Sequence, residues 1–241
     1  MNDKMKQPTS HARRGFLTRA AVALGGAAAL GVFGGAPALA ITPALKFADI
    51  PGTGDIKVLN YALALEALEA DLYAQALMRL TNGGTNALGR RINGLGLNPN
   101  APDVFYLRQF GKVEREHRDF LIAALGNNSL LKKAPFNRAK FNFNIERLNR
   151  KQVGDLVYLA EKTGVGAYLG AIPRFATRTF LQVAGAIQGT EARHTAIIAD
   201  VLNDLFNEGL NVAPLASQNN GIDQPIQPDT VLAAVSPFIV V

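Results

Sequence analysis

Cysteine is absent from the 241 residues. That excludes disulfides, thiolate metal ligands, a cysteine nucleophile and a lipidated cysteine anchor. Histidine is nearly absent too: of three, one is His11 and the others are His117 and His194. A charge excess of one sign is also missing from most of the chain. Of 25 Lys/Arg and 19 Asp/Glu, residues 1–40 hold five and one, leaving 20 against 18 in the remainder. No nucleic-acid footprint survives that balance. The weakly apolar stretch from Ala20 to Phe33 is shorter than the ~20 residues a spanning helix needs and is rich in glycine, so no permanent membrane anchor is expected there.

Residues 1–40 read as a targeting segment. The run Ser10-His11-Ala12-Arg13-Arg14-Gly15-Phe16-Leu17 places a twin arginine before Phe-Leu, an Ala/Gly-rich apolar zone follows, and Ala38-Leu39-Ala40 offers a small-x-small cleavage site. This order resembles a bacterial twin-arginine export signal. It implies recognition of Arg13 and Arg14 by the twin-arginine export machinery, one cleavage after Ala40 at the site marked by Ala38 and Ala40, and a periplasmic or otherwise exported protein.

What remains divides into an N-terminal extension over 41–55, a helical region over 56–208 and a tail over 209–241. Four segments within 56–208 show helical apolar periodicity, from about Ile56 to Leu80, Val104 to Leu125, Lys151 to Ala171 and Phe175 to Phe206. The loops from Thr81 to Asp103 and from Gly126 to Arg150 are longer than compact bundles generally use. The cluster Phe136, Phe141 and Phe143 suggests that they carry short elements of their own. The tail, with Pro214, Pro225, Pro228 and Pro237, reads as extended chain whose apolar end docks on the bundle or on another subunit. The fold class expected is all-α, a four-helix bundle with long inter-helix loops and an extended C-terminal tail. One domain with a real core is within reach of about two hundred residues.

Both histidines after the N-terminal segment have a glutamate three residues earlier, in Glu114-Arg-Glu-His117 and Glu191-Ala-Arg-His194. Glutamate occupies only eight positions after residue 40. Finding it by chance before both histidines is roughly a two-in-a-thousand event. A separation of three puts carboxylate and imidazole on one helix face, where both can hold one cation. A second doublet is Glu66 with Tyr73 and Glu161 with Tyr168, each seven residues apart and so again on one face.

Each of these residues falls on an apolar seam. The seams read Leu59, Leu63, Glu66, Ala70, Tyr73, Leu77; then Leu107, Phe110, Glu114, His117, Leu121; then Val157, Glu161, Gly164, Tyr168; then Ile187, Glu191, His194, Ile198. Glu69 lies on a neighbouring seam with Val58, Ala62, Leu65 and Leu72 and is the alternative to Glu66; Glu116 falls off its seam. Tyr73 and Tyr168 are candidates for hydrogen-bonding or redox groups behind the ligands, or for core filling. Four carboxylates and two imidazoles converging in a bundle need a compensating cation. With both histidines neutral, four negative charges balance two divalent ions. The pattern of two single glutamates and two Glu-x-x-His pairs is that of di-metal four-helix sites.

The chain resembles the ferritin-like superfamily, in the Glu-plus-seven-Tyr and Glu-x-x-His signature of bacterioferritins and rubrerythrins. Its Leu59-Asn60-Tyr61-Ala62-Leu63-Ala64-Leu65-Glu66-Ala67-Leu68-Glu69-Ala70-Asp71-Leu72-Tyr73 stretch is most similar to the exported branch that includes desiccation-related proteins. The resemblance, over about Ile56 to Glu208, implies bridging roles for Glu114 and Glu191, terminal roles for Glu66 and Glu161, and one imidazole per metal from His117 and His194. It implies two iron or manganese ions reacting with O₂, peroxide or Fe²⁺. Its alternatives are a non-catalytic stress-protection protein with a structural metal or none, and an iron-storage subunit, which requires a homo-oligomeric shell.

Overall fold

A computed structural model describes residues 44–214 and 220–240 of the chain. The export motif, with Arg13, Arg14, Ala38 and Ala40, lies outside the described residues. Four long helices dominate: α1 (Gly54–Leu80), α2 (Pro102–Leu125), α3 (Arg150–Ala171) and α4 (Arg178–Phe206).

Local chemistry sets their ends. Helix α2 begins with Pro102, whose missing N–H is no loss in a first turn, and α3 begins at an Asn149/Gln152 capping box in which each side chain accepts from the other residue's backbone N–H. Asp55, in the first turn of α1, accepts from the backbone N–H groups of Ala176 and Thr177 at 2.7 and 3.0 Å. One carboxylate thus serves a helix N-terminus and fixes the turn into α4.

Helix α1 packs chiefly on α2, and α3 on α4; the two pairs then meet through α1 on α3 and α2 on α4. Every helix therefore turns a face to the centre. No helix among the described residues is long and apolar enough to cross a membrane.

The long connections do carry structure. The first holds a small hairpin of β1 (Gly84–Thr85) and β2 (Arg91–Ile92), and the second a chain of 3₁₀ turns and strand β3 (Lys140–Phe141). Phe136 and Phe143 are buried there.

The tail corrects the sequence reading. It is not extended throughout: Pro228–Val235 forms helix α5, followed by strand β4 (Ile239–Val240), which pairs antiparallel with β3. The proline that suggested extended chain occupies the first turn of α5, where proline is tolerated, and Asp229 favours the same end. Val231, Leu232 and Val235 fall on one face and are buried. Phe143 packs against Phe238 with ring centroids 5.4 Å apart, and the Phe47 N–H donates to Asp229 at 2.6 Å.

The segment leading into α5 crosses α3 at very short range. Ile226 N–H donates to Gly166 O at 2.8 Å, and a Cβ on Gly170 would stand 2.0 Å from Ile226 O. Gly185 of α4, by contrast, has open space at that position. Gly170→Ala is therefore expected to lower stability by about 1–3 kcal/mol through overpacking. Gly185→Ala is expected to raise it by up to about 1 kcal/mol through helix propensity. Urea unfolding of the two variants checks both; stability changes of the same sign would contradict this packing.

Candidate metal centre

Glu66 from α1, Glu114 and His117 from α2, Glu161 from α3, and Glu191 and His194 from α4 meet in the bundle interior. All four glutamates are fully buried; His194 is 5% and His117 14% exposed at the side chain. They form two overlapping groups, Glu66, Glu114, His117, Glu191 and Glu114, Glu161, Glu191, His194, each with ligand-type atoms within 4.8 Å of one another. Glu114 and Glu191 belong to both.

The two halves of the bundle hold each other's carboxylates. Tyr168 of α3 donates its hydroxyl to Glu66 Oε1 of α1, and Tyr73 of α1 donates to Glu161 Oε1 of α3. Each of these glutamates keeps its second oxygen, Oε2, buried and without a hydrogen-bond partner among the described residues. Gly111 of α2 makes room for one of these tyrosines, since a Cβ there would stand 2.7 Å from Tyr73 Cβ.

Further atoms at the centre are orphaned in the same way: Glu114 Oε1, both Glu191 oxygens and His194 Nδ1. His194 Nδ1 lies 2.8 Å from Glu114 Oε1, yet the pair lacks hydrogen-bond alignment. The two atoms converge on a common space instead of bonding to each other. Leaving a buried polar atom unpaired costs about 1–3 kcal/mol, more for a charge. Asp103 shows how the same fold treats a structural buried carboxylate. Arg150 grips it with two hydrogen bonds of 2.7 and 2.8 Å. The glutamates of the centre have no such Arg or Lys fork among the described residues; the ion-pairing partners around them are the histidines.

Electrostatics agree with that geometry. Burial pushes the Glu66 carboxyl up to about 7, against the pull of His117 and Tyr168. Burial, reinforced by Glu161 and Glu69, pushes Glu191 well above the carboxylate range. For Glu114 burial is outweighed by His117 and His194, which bring it down to about 2. The imidazoles move oppositely to what burial alone would cause: Glu114 and Glu66 raise His117 to about 10, and Glu114 and Glu161 raise His194 to about 9. Without a metal, then, protons supply the positive charge.

The sequence profile of the ferritin-like domain family matches residues 54–204. The chain belongs to that family. No curated protein and no solved structure gives a match.

In this ferritin-like domain all six residues singled out by spacing converge, and so do the two tyrosines. Glu116 does not; its side chain is 65% exposed beside Lys112. Glu69 is no simple alternative to Glu66, because both are buried at the centre. Sequence reasoning missed this because α1 is buried on more than one seam, so polar residues on adjacent seams both point inward. It also missed Phe110, whose ring stacks on His194 at 4.0 Å between centroids and fixes the imidazole plane. The spacing of four between Phe110 and Glu114 on one seam is the signal that was there to read. An oxygen-rich donor set with two imidazoles and no sulfur suits a hard or borderline metal ion, and the orphaned atoms fit such a group.

Proposed function

We propose that this is an exported two-metal carboxylate protein, with iron or manganese as its cofactor. The observation that carries the reading is the pair of overlapping four-residue groups sharing Glu114 and Glu191. Glu114 and Glu191 would bridge two ions, Glu66 with His117 would complete one position, and Glu161 with His194 the other. Bound in reduced form, such ions supply electrons to O₂ or peroxide, or accept them from Fe²⁺ once oxidised.

The chain's own residues set the conditions. Tyr168 and Tyr73 each hold one oxygen of a terminal glutamate and aim the other inward. Burial of all four glutamates excludes bulk water, and the partly exposed His117 edge limits entry to small oxidants or metal ions.

That degree of enclosure also favours a second reading, a stress-protection protein with a closed structural metal. One set of measurements separates them. Protein purified from its own host after export is expected to contain about two ions per chain, iron or manganese before zinc, and to consume peroxide or oxidise Fe²⁺. Arg13→Lys with Arg14→Lys is expected to hold the precursor inside the cell, because lysine lacks the planar fork of arginine. Two ions without either activity would establish the structural reading, and a large closed shell by size exclusion would indicate iron storage. Zinc as the native metal, or unchanged export of the double variant, would overturn the corresponding part of the proposal.

A further inference from the structure

Glu69 belongs to neither four-residue group, yet it is only 4% exposed and turned toward the same interior. The internal symmetry of the bundle makes its position informative. Helix α1 presents Glu66 with Tyr73 seven residues on, and α3 presents Glu161 with Tyr168 in the same spacing. Three residues after each glutamate the halves differ: Glu69 stands in α1 and Gly164 in α3. One helix has a carboxylate where the other has no side chain.

These two differences meet in space. A Cβ on Gly164 would lie 3.2 Å from Glu69 Oε1 and 3.1 Å from Glu191 Oε2, closer than a carbon ordinarily sits against neighbours. The missing side chain of α3 is what lets the Glu69 carboxylate stand beside the shared Glu191. The charges around Glu69 are those of Glu66, Glu161 and Glu114, all of its own sign. A buried carboxylate among like charges, seated in a gap that a methyl group would close, lacks a structural partner among the described residues and has a cation-shaped requirement.

Resting on the two-metal reading, we propose that Glu69 is a further metal ligand, a fifth carboxylate that enters beside Glu191 through the gap at Gly164 and makes the two metal positions unequal. Glu69 reaches across from α1 to this gap on α3, one helical turn after Glu161, and is assigned to the ion that Glu161 and His194 would hold. That position has more carboxylate donors and binds its ion more tightly. Glu66 and His117 hold the weaker one.

Anaerobic titration of the purified metal-free protein with Mn²⁺, followed by calorimetry and electron paramagnetic resonance, tests this. The unaltered protein is expected to fill in two unequal steps. Glu69→Gln is expected to weaken the tighter step by about tenfold or more while sparing the other. Gly164→Ala, which crowds both Glu69 and the shared Glu191, is expected to weaken both steps, and Glu161→Ala the tighter one. A crystal structure of the Mn²⁺-loaded protein is expected to show a Glu69 oxygen bonded to one ion. Circular dichroism establishes that each variant is folded; should Glu69→Gln fail to fold, the loaded structure decides. A loaded structure with Glu69 unbonded, or a Glu69→Gln titration matching the unaltered protein, overturns the proposal. Failure of the unaltered protein to bind Mn²⁺ at all overturns the two-metal reading instead.

Discussion

Glu114→Ala is expected to reduce the metal content of the purified protein from about two ions per chain to less than one, and Glu191→Ala to do the same. Loss of a terminal ligand weakens one position, but loss of a shared carboxylate removes a donor from both. Glu114 is also the carboxylate nearest to both imidazoles, with His117 Nδ1 at 3.1 Å and His194 Nδ1 at 2.8 Å, so its removal takes the closest negative charge from each histidine. Glu116→Ala is the control, two residues away on the same helix but paired with Lys112 in solvent. Metal analysis after dialysis against a weak chelator reads the outcome. Equal loss from Glu116→Ala, or retention of both ions by Glu114→Ala, would show that the centre does not hold metal in this way.

The melting temperatures of metal-free and metal-loaded protein are expected to move apart as pH rises. In the metal-free fold, Glu66 at about 7, His117 at about 10 and His194 at about 9 all stand above their ordinary values of 4.5, 6.5 and 6.5, and Glu191 and Glu69 stand higher than usual too. The folded state therefore holds more protons than the unfolded chain between pH 4.5 and about 10, and linkage makes its stability fall as pH climbs through that window. Glu114 acts in the opposite sense, but its stabilisation is lost only as pH falls toward about 2, outside the window. Metal reverses the dependence. Ligation requires neutral imidazoles and ionised carboxylates, so loaded protein gains stability as pH rises through the histidine range and releases protons on binding. Between pH 5 and 9 the metal-free protein is expected to lose roughly 5 °C or more in Tm. Calorimetry of both forms in matched buffers decides. Parallel curves would mean that the cluster is neither proton-compensated nor metal-loaded.

Much of this centre could be read from the chain because of scarcity. With two histidines and eight glutamates after residue 40, a polar residue on an apolar seam stands out. Seam periodicity alone places Glu66, Glu114, His117, Glu161, Glu191 and His194 facing inward. The crossing of the tyrosine hydroxyls between helices was not legible, since spacing along one helix says nothing about which neighbour a side chain reaches. The burial of Glu69 beside Glu66 was not legible for a related reason. A seam argument assumes one buried stripe, whereas α1 is covered by α2 on one side and α3 on another, so Leu65, Glu66, Leu68 and Glu69 are all buried. The tail eluded prediction because proline has two meanings, a breaker within a helix and a starter at its first turn, and only packing of Val231 and Leu232 selects the second.

The exchange of hydroxyls between Tyr73 and Glu161, and between Tyr168 and Glu66, bears on the order of assembly. Each half of the bundle, α1 with α2 or α3 with α4, can zip up from contacts close in sequence. Neither half alone can orient its own terminal glutamate, because the hydroxyl that does so comes from the other, and neither contains both shared carboxylates. Metal capture at the proposed site would thus report that the two hairpins have docked, and the bound metal would act as a latch across that seam alone. Amides within each hairpin would then exchange at rates little altered by metal, while opening between the hairpins becomes the slow, metal-controlled event.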